Sequence, residues 1–225
     1  LITLGFYGGI MSFLNIAGQL VEGLGGTCLI FFLTLIFSMP LGLLVCFGRM
    51  SKNIVVRSIM KVYISIMRGT PLMLQLLVVY FGPFFIAGAN ISGFRFYAVI
   101  IGFSLNYAAY FAEIYRSGIE SMPVGQYEAA TVLGYSKSQT FIRIILPQVI
   151  KRILPAVTNE IITLVKDTSL AFAIAYQEMF TIAKQITASN GNFTALFVAG
   201  LFYYIFNFIV AFVMERFEKK LSYYR

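Results

Sequence analysis

Apolar residues along this chain come in long blocks rather than in alternating faces. Stretches of roughly 20 residues with few or no charges recur, the length a helix needs to cross a hydrocarbon layer. The pattern predicts five spans, at roughly 23–48, 62–87, 95–115, 153–175 and 194–214. Pro40 is placed to kink the first, and Gly69, Thr70 and Pro71 interrupt the second. Residues 1–21 are apolar but contain Gly8, Gly9, Asn15 and Gln19, and they read as a short helix lying at the membrane interface rather than a sixth span. The expected fold is an all-α integral membrane protein, a single transmembrane domain over residues 1–225, with its longest polar segment at about 116–152.

Composition agrees with the pattern. The chain is 59% apolar and 12% charged, where soluble domains carry about a quarter charged residues. The net charge of +8 follows topology and gives no reason to expect nucleic-acid binding. Arg49, Lys52, Arg57 and Lys61 lie between spans one and two; Arg116, Lys137, Arg143, Lys151 and Arg152 lie between three and four; Arg216, Lys219, Lys220 and Arg225 follow span five. Only Arg95 and Lys184 occupy the other loops. Cytoplasmic loops collect Lys and Arg, so the N-terminus is expected outside and the C-terminus in the cytoplasm. No Lys or Arg precedes Arg49, so a signal peptide with its basic leader is not expected.

Several chemistries are excluded by residue type. The chain has no histidine, which removes a Ser-His-Asp arrangement, and no metal site is expected. Cys28 and Cys46 fall in one apolar span and read as small buried residues. A GxxxxGK[ST] loop for ATP phosphates is absent.

The 116–152 segment carries its own folding signals. Gly125 is placed to start a helix from Gln126 to Leu133, with Glu128 in the first turn, where the helix dipole favours an acid. Gly134 is placed to end it. Ser136 and Gln139 form a capping-box pattern that opens a second helix at Lys137. Phe141, Ile144, Ile145 and Val149 recur with helical spacing and give it one apolar face. Pro147 is expected to kink or end that helix. Spacing alone leaves two roles open for this hairpin, packing on the bilayer surface and docking a cytoplasmic partner.

The run EAATVLGYSKSQTFIRIILP at 128–147 resembles the EAA loop of bacterial ABC-importer permeases, through Glu128-Ala129-Ala130, Gly134 and Ile145-Leu146-Pro147. MRGTPLMLQL at 67–76, AEIYRSGIESMPVGQYEAA at 112–130 and VKDTSLA at 165–171 are similar to permeases of the polar-amino-acid uptake family, and the resemblance covers roughly 20–220. It implies a type I importer fold and a coupling helix in which Gln126, Glu128, Ala129, Ala130 and Gly134 face an ATPase subunit. It also implies a dimer of ATPase subunits that bind ATP and magnesium, a second permease chain, identical or different, and an extracytoplasmic amino-acid-binding protein. No cofactor is then expected in this chain, which would be a transport subunit of the bacterial inner membrane and not an enzyme.

Polar groups inside spans are costly and point to function. Counted from the cytoplasmic edges of their spans, Thr70 and Pro71, Asn106 and Tyr110, and Asn159 and Glu160 all fall roughly 8–14 Å deep. Asn106, Tyr110 and Glu113 share one helix face; Glu160, Thr163 and Asp167 share another. Thr70 is a good N-cap and Pro71 suits a first helical position, so span two is expected to restart there with the amides of Leu72 and Met73 unpaired. Such a half-helix start suits a substrate carboxylate, and Glu160 suits a cation. That pairing favours arginine, lysine or histidine. Should Glu160 instead hold the α-amino group, a neutral side chain such as that of glutamine fits. Lys166 and Asp167 are expected to find local partners, Glu113 and Arg116 to pair along their helix, and Arg68 to reach the interface or cap a carbonyl.

Other readings are an ion-coupled secondary amino-acid transporter using Glu160, a glutamine- or glutamate-specific importer permease, and a channel or scaffold. A secondary transporter of the common kind shows inverted repeats and more spans. No internal repeat is visible here, and the folded hairpin would go unexplained.

Overall fold

The computed structural model describes residues 2–91, 93–191 and 193–221. Arg225, one of the C-terminal cations of the topology reading, lies outside them. The described residues form nine α-helices and no strand: α1 (Ile2–Arg49), α2 (Ile54–Gly69), α3 (Leu72–Ala87), α4 (Arg95–Glu120), α5 (Val124–Val132), α6 (Lys137–Thr140), α7 (Leu146–Asp167), α8 (Met179–Asn190) and α9 (Thr194–Leu221). A π turn at Phe141–Ile145 joins α6 to α7, and a 3-10 helix follows α7 at Thr168–Ile174.

One expectation is corrected, and a second element takes a less regular form than expected. The separate interfacial helix over 1–21 is absent, because α1 runs without a break from Ile2 through Pro40 to Arg49. Ile16 and Leu20, one helical turn apart, are buried against other helices of the chain, and that packing outweighs the polar positions read as a boundary. The fourth expected span is not one long apolar helix. Among the described residues α1 from Phe13, α4 and α9 are long and apolar enough to cross a membrane, and α2 with α3 pass as an interrupted pair. The helix α7 carries Lys151, Arg152, Glu160, Lys166 and Asp167, and the region then tightens into the 3-10 helix.

The chain divides into two compact units. The first comprises residues 1–35, 70–104 and 163–209. Its core joins Ile16 and Leu20 of α1 to Met179, Ala183 and Ile186 of α8 and to Ala195, Val198 and Ala199 of α9. Here α1 meets the start of α8 backbone to backbone. A Cβ on Gly23 would lie 2.7 Å from the Met179 Cα, and one on Gly26 2.6 Å from the Gln177 carbonyl oxygen. The Thr27 hydroxyl accepts from the Met179 amide at 3.3 Å. Beside this contact the carboxylate of Glu178, fully buried, accepts from the amides of Phe180 (2.7 Å) and Thr181 (2.6 Å), the Thr181 hydroxyl (2.7 Å) and the Tyr203 hydroxyl (2.9 Å). It thereby caps α8 and ties it to α9.

The second unit comprises residues 36–69, 105–162 and 210–225. One core cluster packs Val45 and Cys46 of α1 on Ile64 of α2 and on Ala109 and Ala112 of α4. Another lies under the hairpin, where Met122, Ile145 and Val149 are buried with Ile119, Tyr127, Phe141, Ile144 and Ile153 around them. The apolar face read from the sequence is thus the face that seats the hairpin.

Candidate functional site

The hairpin's turn is built by local chemistry. The helix α5 starts at Val124 after Pro123, earlier than expected, which leaves Glu128 beyond its first turn. At its end the Tyr135 amide donates to the Ala130 carbonyl and the Gly134 amide to that of Thr131, both at 3.0 Å, with Gly134 at φ +78°. This is the double-bonded glycine terminus in which only glycine adopts the left-handed residue without strain. The capping box is present: the Ser136 amide donates to Gln139 Oε1 (2.9 Å) and the Gln139 amide to Ser136 Oγ (3.3 Å). Pro147 neither ends nor breaks the helix. The turn before it shifts to π bonding, with the Leu146 amide donating to the Phe141 carbonyl, and this relaxes the turn whose carbonyl a proline ring would otherwise meet. Gln126, Glu128, Ala129 and Gly134 are exposed, whereas Ala130 is buried. Val132 and Leu133 stand 87% and 73% exposed at the tip.

The second unit also holds a cavity of about 440 Å³, within the size range of small-molecule sites. Arg68 from α2, Tyr110, Glu113, Arg116 and Ser117 from α4, and Arg152 and Glu160 from α7 line it. Arg116 donates to both Glu113 oxygens, at 3.1 and 2.7 Å, and to Glu120 one turn on, so the expected pairing along α4 is present. Arg152 donates to the Ser121 carbonyl (2.6 Å) and hydroxyl (3.1 Å). The guanidinium of Arg68 sits over the Tyr110 ring, 5.3 Å from its centroid. A carbonyl cap by Arg68 is not found among the described residues.

The expected site residues separate accordingly. Tyr110 and Glu160 line the cavity together. Asn106 is buried and donates its side-chain amide to the Met67 carbonyl at 3.0 Å, so it secures the end of α2 next to Arg68. Asn159 is exposed and lies outside the lining. Thr70, Pro71, Leu72 and Met73 belong to the first unit. The expected restart is present, since α2 stops at Gly69 and α3 begins at Leu72. The N-cap is Pro71, not Thr70, and Gln75 Nε2 donates to the Thr70 hydroxyl (2.8 Å) and carbonyl (3.1 Å) across the junction. Sequence reasoning missed Arg152 and Ser121 as lining residues, which nothing in their spacing marks. It also missed Glu178, for which an acid next to the apolar Met179-Phe180 was the available signal.

A cavity bearing both signs of charge offers a small polar solute partners of both signs, and helices long and apolar enough to cross a membrane place the chain in the class of integral membrane proteins. Comparison with known proteins makes the class specific. The chain belongs to the family of binding-protein-dependent transport system inner membrane components, whose model matches residues 38–223. It is 40% identical over 205 residues to the probable amino-acid ABC transporter permease protein YckA of Bacillus subtilis, covering 91% of this chain and 89% of that one. It is 37% identical to the arginine transport system permease protein ArtQ of Bacillus subtilis, covering 90% and 92%. To the putative glutamine transport system permease protein GlnP of Rickettsia felis it is 35% identical, also covering 90% and 92%. Among solved structures, a crystal structure of an amino acid ABC transporter with histidines superposes with a TM-score of 0.86 at 30% identity, covering 93% of this chain and 97% of that one. The MetNI methionine ABC transporter in an inward-facing form shares the fold, with a TM-score of 0.70 at 20% identity. The chain is therefore an ABC importer permease, a transport component and not an enzyme.

Proposed function

We propose that this permease carries polar amino acids, basic ones foremost, into the cell, driven by ATP hydrolysis in a separate subunit. The observation that carries the substrate class is a cavity of small-molecule size whose wall includes the carboxylate of Glu160 and the ring of Tyr110. A carboxylate wall suits the guanidinium or ammonium of arginine or lysine. The relatives named for arginine and for glutamine support amino acids as the class. The start of α3, from Thr70 to Met73, is proposed separately as an anion-binding element of the first unit, on the strength of its half-helix geometry. An importer specific for glutamine remains the second reading, with Glu160 on the α-amino group.

The hairpin is proposed as the coupling element. It is ordered by its own caps, seated on the second unit's core, and it presents Glu128, Ala129, Val132 and Leu133 outward. Exposed apolar side chains on a folded hairpin rich in polar residues fit a cleft in a partner protein. The working complex then has two permease chains, two ATPase subunits that bind ATP and magnesium, and an extracytoplasmic binding protein. The chain sits in the inner membrane as five spans, the fourth formed by α7 and its 3-10 extension, with the N-terminus outside and the hairpin cytoplasmic.

Co-purification tests the coupling role. Val132→Asp combined with Leu133→Asp is expected to lose most of the co-eluting ATPase while the permease still inserts and elutes as a folded species. Full retention of the ATPase by that variant would remove the hairpin tip from the interface.

A further inference from the structure

We infer that Arg68 is the residue that recognises the substrate's α-carboxylate, so that one unit of the permease holds both countercharges of a zwitterion. The inference rests on the amino-acid reading above and extends it to the anionic end of the substrate.

Arg68 is positioned but left available. Its residue type and place are the first reason: it is a cation with a planar fork of donors, in the last turn of α2, half-exposed at the wall of the cavity. Its side chain is held on two sides, by the face of Tyr110 and by Glu113. The contact with Glu113 is 3.9 Å from Nη1 to Oε2, too long for a hydrogen bond. Both oxygens of Glu113 are already taken by Arg116 at 3.1 and 2.7 Å. Among the described residues, then, Arg68 has a ring face and a distant carboxylate but no acceptor within bonding distance. A guanidinium so placed keeps its planar fork of donors for a ligand, and the fork matches a carboxylate in a two-point fashion.

The other cavity arginines are committed. Arg116 bonds Glu113 and Glu120, and Arg152 bonds the Ser121 carbonyl and hydroxyl. Arg68 lines the same cavity as Glu160 and contacts Tyr110, a residue of the expected substrate set. The end of α2 that carries it is fixed in turn by Asn106, whose amide holds the carbonyl of the preceding residue, Met67. Asn106 therefore acts as a positioning residue for Arg68.

The test is equilibrium binding to the nucleotide-free permease–ATPase complex in nanodiscs without the binding protein, which would impose its own selection. Labelled L-arginine and L-glutamine are displaced by themselves and by their decarboxylated counterparts, agmatine and the amide of γ-aminobutyrate. Wild type is expected to prefer the amino acid that it binds over its decarboxylated counterpart by about 10- to 100-fold, the range of a hydrogen-bonded charge pair. Arg68→Met is expected to bind that amino acid correspondingly weaker and to lose the preference, while the affinity for the counterpart stays within about twofold. Arg68→Lys keeps the charge without the fork and is expected to fall between them, which also supplies the readout if the methionine variant does not assemble. Arg143→Met, on the hairpin's π turn and outside the cavity, is the control and should match wild type. Arg68 variants that keep the full preference would overturn the assignment and point to the start of α3 for the carboxylate. Binding of neither amino acid by wild type would overturn the amino-acid reading itself, and this inference with it.

Discussion

Gly134 and Glu178 show how much a single position carries here. The first occupies a left-handed backbone conformation at φ +78° with open space around a would-be Cβ, so Gly134→Val is penalised by backbone strain alone, by about 1–2 kcal/mol. That loss loosens the hairpin without touching the spans. ATP-driven transport is expected to fall at least several-fold while membrane insertion and yield stay unchanged, and transport at wild-type level would show the turn to be dispensable. Glu178 is the opposite case, a buried acid whose two oxygens accept four hydrogen bonds. Glu178→Ala strands buried donors and is expected to cost roughly 2–4 kcal/mol, read as a lowered melting temperature in detergent. Glu178→Gln keeps one acceptor oxygen, enough for one of the two α8 amides, and should lose less.

At the scale of elements, the junction of α1 with α8 depends on the absence of side chains. Gly23 and Gly26 face α8 and its lead-in, whereas a Cβ on Gly25 meets nothing within 4 Å. Gly23→Val or Gly26→Val is expected to force the helices apart and destabilise by roughly 1–3 kcal/mol; Gly25→Val should be close to neutral. Equal effects at all three positions in a thermal melt would contradict the packing described. The contact joins residues 152 apart in sequence, Thr27 and Met179, and that distance explains why it was illegible beforehand. By contrast, the turn at Gly134 and the cap at Ser136 and Gln139 were legible because every bond in them is local. The restart at Pro71 was legible for the same reason, although the cap itself shifted by one residue. The continuity of α1 was misread for lack of tertiary information, since it depends on the burial of Ile16 and Leu20, whereas at Pro147 the expected disturbance takes the form of a π turn and not of a helix end.

At the scale of the whole molecule, the exposed apolar surface is itself informative. On α9 the side chains of Phe197, Tyr204 and Phe208 stand 79%, 69% and 61% exposed, a surface that water would not tolerate as a contiguous stripe and that lipid or a second permease chain covers without cost. The candidate site was half legible in the sequence: depth counting found Tyr110 and Glu160, which share the cavity, but gave equal weight to Asn106, which is buried as a helix anchor, and to Asn159, which faces outward. Depth along a span says nothing about which neighbour a side chain meets, and only the packed helices decide that. The role proposed for Glu160 is that of the cation wall in an amino-acid importer. It is tested most directly by ATP-driven uptake of labelled arginine in proteoliposomes of the assembled complex, with lysine, histidine, glutamine and glutamate as competitors and Glu160→Gln beside wild type. Competition by the basic amino acids and a loss of uptake by at least tenfold in the variant are expected. Equal competition by glutamine, together with undiminished uptake by Glu160→Gln, would contradict it.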